Sequence, residues 1–128
     1  QYLLRNPVDI LEDGSIVCDE GPLQGAKVHL MISNQDSCIQ AAIEAAKSIK
    51  ASLGEKKPKL ILVFESLASH KMTGKKTLYK IQTIRNILGS TSPIAGMCSY
   101  GEIGPFGTLN NIKDVYLHNN SILILVIT

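Results

Sequence analysis

The feature that most constrains this chain is a short, unbroken apolar run, Leu60 to Phe64 (LILVF), set between two longer segments whose apolar residues recur at threes and fours. Such a run, just after Pro58, suits a central strand buried on both faces or nearly so. Upstream, Ile39, Ala42, Ile43, Ala46, Ile49 and Leu53 put one apolar stripe on a helix from about Ser37 to Leu53. Ser33, Asn34, Gln35 and Asp36 offer side chains to cap its start, and Gly54 ends it. Downstream, Leu78, Ile81, Ile84 and Leu88 mark one face of a second helix closed by Gly89, while Lys75, Lys76, Lys80 and Arg85 are expected to point to water.

Around this strand-centred pattern lie further extended segments. Tyr2 to Arg5 is one; Val8 to Leu11 and Ser15 to Cys18 flank Glu12-Asp13-Gly14, a hairpin signal. Lys27 to Ile32 (KVHLMI) reads as a strand, as do Pro93 to Tyr100 and Ser121 to Ile127, with a long Gly/Pro/Asn-bearing loop from Gly101 to about Val115 between the last two. Right-handed crossovers would make KVHLMI, LILVF and PIAGMC parallel, and the last strand can return antiparallel. The expected fold is α/β or α+β: a mixed β-sheet with two main helices packed against it, an N-terminal β-hairpin and a C-terminal antiparallel strand.

At 128 residues and 45% apolar content the chain is expected to form one domain over 1–128. No stretch reaches the roughly 20 consecutive apolar residues of a membrane span, so no span and a cytoplasmic location are expected. Cys18, Cys38 and Cys98 form no CxxC or Cys/His cluster, which points to reduced thiols and no metal site. Between Lys47 and Arg85 ten basic residues stand against only Glu55 and Glu65, and the rest of the chain is acidic.

Motifs of phosphate loops, dinucleotide folds, serine-hydrolase elbows and zinc proteases are absent from the sequence. Gly74-Lys75-Lys76-Thr77 lacks the leading glycine of a phosphate cradle, because Ser69 stands there. Ser66, Ser69 and His70 are expected in a polar turn after the central strand, where carboxyl ends of parallel strands form ligand crevices. In Ser99-Tyr100-Gly101-Glu102-Ile103-Gly104, two glycines flank a carboxylate at a strand exit, so backbone can approach a ligand closely beside a charged acceptor. His118 and Asn119 precede the final strand and come near that turn if the strands pair.

Three stretches resemble the carboxy-terminal domain of the FIST sensory family: RNPVDILEDGSIVCDEGPLQGAKVHLMI, KLILVFESLASH, and PIAGMCSYGEIGP followed by YLHNNSILILVI. The resemblance implies a non-catalytic, small-ligand-sensing domain of a prokaryotic signalling protein, with amino acids among the ligands. It also implies a FIST amino-terminal domain and an output domain or kinase as partners, in a chain of which this is an excised piece. No cofactor is expected from the residues; haem enters only through some relatives. By resemblance Gly101, Glu102, His118 and Asn119 become candidate ligand or interface residues, with Ser66 and His70 beside them. Where the family often carries a cysteine and a downstream arginine, this chain has Ser66 and Ser69-His70.

Two rival readings remain. One is an interaction domain that docks an acidic protein through the basic face of the second helix; nucleic acid is not expected, because aromatics are not interleaved with the basic residues. The other is a small hydrolase or transferase using Ser66, His70 and Glu102. Oligomeric state is open, and a homo-oligomer is compatible with all three.

Overall fold

The computed structural model describes residues 2–105 and 115–128. In chain order its elements are β1 (Pro7–Ile10), β2 (Ile16–Cys18), α1 (Gln35–Leu53), β3 (Leu60–Ser66), α2 (Leu67–Thr73), a 3-10 turn (Gly74–Lys76), α3 (Thr77–Leu88), β4 (Ile94–Ser99), β5 (Glu102–Pro105), β6 (Val115–His118) and β7 (Ile122–Ile127). The apolar run is the middle of a three-stranded sheet of order β4-β3-β7, parallel to β4 and antiparallel to β7. With the antiparallel hairpin β1–β2 and the helices, this is the mixed-sheet fold expected from the sequence. Gly14 takes φ +84° at the hairpin turn, a conformation that costs glycine nothing. β5 and β6 form a second small antiparallel pair.

Strand alternation divides β3 into two faces. Ile61 and Val63 meet Ala42 and Ala46 of α1 and Ile84 and Leu88 of α3, which together are the buried core. Burying each large side chain there contributes about 1.5–3 kcal/mol. Leu60, Leu62 and Phe64 on the other face are only half-buried. At the start of α1, Asn34 Oδ1 accepts from Ser37 N at 2.8 Å, and Ser37 Oγ bonds back to Asn34 N at 2.8 Å, a reciprocal cap.

Several expectations are corrected. Lys27 to Ile32 forms no strand, and neither does Tyr2 to Arg5. β3 is paired on both edges, by β4 and β7, and KVHLMI does not pair with the outer edge of either of those strands. Ser66 to His70 is not an open turn, since α2 begins at Leu67 with Ser66 as its cap. The buried row of α3 runs Lys80, Ile84, Leu88, at intervals of four. Leu78 lies two positions, roughly 200°, from Lys80 around the helix and is exposed. Lys80 is not a solvent-facing lysine: it is 1% exposed, because a buried carboxylate waits for it. Of the expected 101–115 loop, Glu102–Pro105 and Val115 belong to strands, and 106–114 lie outside the described residues.

Candidate functional site

The carboxyl ends of β3 and β4 and the start of β7 meet at one end of the sheet. Ser66 pairs with Ser99, Glu65 pairs with both Cys98 and Ile122, and Ser66 N donates to Ser121 O at 3.0 Å. Alternation sends Glu65 to the helix-covered side with Ile61 and Val63. Ser99 and Ser121, one step out of phase, face the other way. Two polar clusters result, one on each side of the sheet end.

On the helix side, Glu65 is 4% exposed and its Oε1 accepts from Lys80 Nζ and, at 2.8 Å, from Ser69 Oγ. Lys80 also donates to Thr73 Oγ1 at 3.1 Å, and Thr73 Oγ1 donates to Ser69 O at 2.8 Å. His70 Nδ1 lies 3.8 Å from Glu65 Oε2, at the half-exposed margin. No buried side-chain nitrogen or oxygen of this cluster lacks a hydrogen-bond partner, and the bonds tie β3, α2 and α3 together. A buried pair of this kind costs desolvation and is retained where its hydrogen bonds are complete.

On the opposite side, β5 and β6 place Glu102 directly across from His118. Ser99 Oγ donates to Glu102 Oε1 at 2.7 Å and Ser121 Oγ donates to Oε2, so the carboxylate bridges the exit of β4 and the entry of β7. Glu102 is 5% exposed, and no ion pair among the described residues includes it. A Cβ on Gly101 would stand 3.2 Å from Asn119 Oδ1 and 3.2 Å from Leu117 Cδ1, which explains why only hydrogen sits there. Asn119 is buried beside it. The next residue, Asn120, takes φ +52° and donates from Nδ2 to Asn6 Oδ1, while Arg5 Nη1 donates to Leu117 O at 3.3 Å. The amino-terminal segment is thereby pinned to the same corner.

Five of the six candidate residues therefore gather at one sheet end: Ser66, Gly101, Glu102, His118 and Asn119. His70 stands at the same end but on the helix-covered side, beside Glu65. No hydrogen bond among the described residues joins Ser66, His70 and Glu102: Ser66 Oγ accepts from Ser69 N at 3.2 Å as a helix cap, and the carboxylate nearest His70 is Glu65. Sequence reasoning missed Glu65, Lys80, Ser69, Ser99 and Ser121. The available signal was period: Glu65 continues the inward series Ile61, Val63, and Lys80 stands four residues before Ile84.

Among the described residues no group of three His, Cys, Asp or Glu side chains could hold a metal ion, and no helix is long and apolar enough to cross a membrane. The surroundings of His118 do not fit haem: its Nε2 bonds the Gly104 carbonyl at 2.9 Å. An open groove of about 500 Å³ between α1 and α3, lined by Ile39, Ile43, Lys76 and Tyr79 among others, includes none of the six candidates.

Comparison with known families finds a match to the FIST C domain over residues 1–105. No curated protein and no solved structure matches the chain. The matched span includes Gly101 and Glu102 but stops before His118, so the closing-strand part of the resemblance stands outside it. With 105 of its 128 residues matched, the chain belongs to the FIST C domain family, a family of sensory domains in signal transduction proteins.

Proposed function

We propose that this domain senses, without chemical conversion, a small molecule bearing a cationic nitrogen, amino acids being the class the family resemblance suggests. The observation that carries the reading is Glu102: a buried carboxylate whose bonded donors are two neutral hydroxyls. Burying a carboxylate without a countercharge is costly, and an ammonium group offers a charge-assisted bond roughly twice as strong as a neutral one. Gly101 lets Asn119 and Leu117 pack closely beside Glu102, and Asn119 and His118 supply groups that orient a polar ligand. An ammonium replacing Ser99 or Ser121 at Glu102 would loosen the tie between β4 and β7. Occupancy would in that way change how the sheet end is held, and a partner domain or kinase could read the change in a cytoplasmic signalling protein.

The interaction-domain reading is weakened by the burial of Lys80 and the half-burial of Arg85, which leave Lys75 and Lys76 as the exposed part of that face. The test is a thermal-shift series with free amino acids, simple primary amines and their uncharged isosteres. A ligand at about 100 times its Kd adds about 2.7 kcal/mol of stability. The expected result is a shift with the ammonium compounds alone, lost in Glu102→Gln. A shift that persists in that variant, or none with any ammonium compound, overturns the reading.

A further inference from the structure

The two carboxylate clusters at the sheet end are joined by one continuous chain of hydrogen bonds. Glu102 Oε2 accepts from Ser121 Oγ, and Ser121 O accepts from Ser66 N at 3.0 Å. Ser66 Oγ accepts from Ser69 N at 3.2 Å, and Ser69 Oγ donates at 2.8 Å to Glu65 Oε1, the oxygen that Lys80 also bonds. Ser66 is the joint of this chain: its backbone ends β3 beside the entry of β7, and its side chain caps α2. It is 2% exposed, so these bonds form in a low local dielectric, where they are strongest.

A chain of bonds transmits a change only where it ends on an element that has two arrangements. α2 meets the physical requirements for one. It has seven residues, fewer than the roughly 12–15 that an isolated helix needs to persist in water. None of its apolar side chains belongs to the buried core or to the residues packed against it: Leu67 is half-buried, and Ala68 and Met72 are exposed. Its buried residues are Ser69 and Thr73, both polar. α2 is therefore docked by hydrogen bonds. They include those at the Ser66 cap, that from Ser69 to Glu65, that from Lys80 to Thr73 Oγ1 at 3.1 Å, and that from Gln35 Nε2 of α1 to Thr73 O at 2.6 Å. Segments with few buried apolar contacts open locally, before the core does.

We propose that Ser66 couples the Glu102 site to the docking of α2: weakening the bond between Glu102 and Ser121 loosens the Ser66 joint, and α2 opens from the Glu65 cluster. Ser66 acts here by positioning α2 and touches no ligand. An ammonium group that displaces the Ser121 hydroxyl would act through this route, a step that rests on the sensing role proposed for Glu102. The chain of bonds itself needs no ligand. Coupling is reciprocal, so a change at Ser69 is also felt at Ser121.

The test is amide hydrogen exchange followed by NMR on the full chain without ligand. Glu102→Gln is expected to speed exchange of residues 69–73 at least about twofold, the lower end of coupling within one hydrogen-bond network, and to leave residues 43–50 of α1 unchanged. In Ser66→Ala the same change at Glu102 should add nothing, whereas Ser66→Thr, which keeps a hydroxyl, should retain the response. Loss of the cap can by itself undock α2, so a second measurement runs in the other direction: Ser69→Ala, with the Ser66 hydroxyl in place, is expected to shift the amide resonances of residues 120–122. Unchanged exchange in α2, an equal rise in α1, a response that persists in Ser66→Ala, or resonances at 120–122 that ignore Ser69→Ala each overturns the proposal. Failure of ammonium compounds to bind would overturn the sensing role alone and leave these outcomes as they stand.

Discussion

Glu65 and Glu102 are two buried carboxylates at the same end of the molecule, on opposite sides of the sheet, and they are hydrogen-bonded in different ways. Glu65 has a lysine of its own, along with Ser69 and the nearby Thr73, all on elements packed over β3. Glu102 has two serine hydroxyls from strands that end beside it. The first arrangement is a closed lock between helices and sheet. The second leaves a negative charge that a cationic group from outside can improve. Local chemistry is similar, and the difference lies in whether the fold brings a cation to the carboxylate.

The comparison breaks most visibly at Lys80. Lys80→Ala strands Glu65 as an unpaired buried charge and is expected to cost about 3–5 kcal/mol in denaturant unfolding. The double change Glu65→Gln with Lys80→Met removes both charges and should recover most of that loss; a double variant as unstable as the single one would mean that Lys80 acts through packing rather than charge. Ser121→Ala tests the other carboxylate. Loss of one hydroxyl bond to a charged group is expected to cost about 1.5–3 kcal/mol, less than the lysine truncation. A larger loss than at Lys80 would reverse the ranking of the two clusters.

The smallest effect is at a third carboxylate. Asp13, in the exposed hairpin turn, accepts from Ser15 N at 2.8 Å, and this backbone bond, helped by the Ser15 hydroxyl, holds its carboxyl below the usual 3.8. Because the folded-state value is lowered, its stabilising contribution is present above the ordinary carboxylate range and is lost as pH falls through the lowered value. Carboxyl NMR should show Asp13 titrating below 3.8 in the folded chain, and Asp13→Asn should leave the melting temperature at neutral pH nearly unchanged. A substantial loss at neutral pH would show that an exposed turn bond rivals the buried clusters.

The elements read correctly from the sequence are those whose signal is local. The LILVF run, the α1 stripe from Ile39 to Leu53 with its Asn34 cap, the Asp-Gly hairpin and the closing strand follow from periodicity and turn chemistry. The approach of His118-Asn119 to Gly101-Glu102 was legible only as a condition on strand pairing, and β5–β6 pairing meets it. Residues 27–32 went wrong because a strand exists only once it is paired, and strand-forming side chains do not say whether the chain will be brought to an edge.

The sequence by itself determined the hairpin, the two long helices and the three strands of the main sheet, because capping groups, turn residues and apolar periods act within a few residues. Which charges are buried was decided only by the tertiary structure. Lys80 looks like any surface lysine until α3 is laid against β3 with Glu65 beneath it, and Glu102 looks like a solvent-facing turn residue until Ser99 and Ser121 close over it. Desolvation and ion pairing depend on distances between residues far apart in the chain, and those distances exist only once the sheet has been assembled.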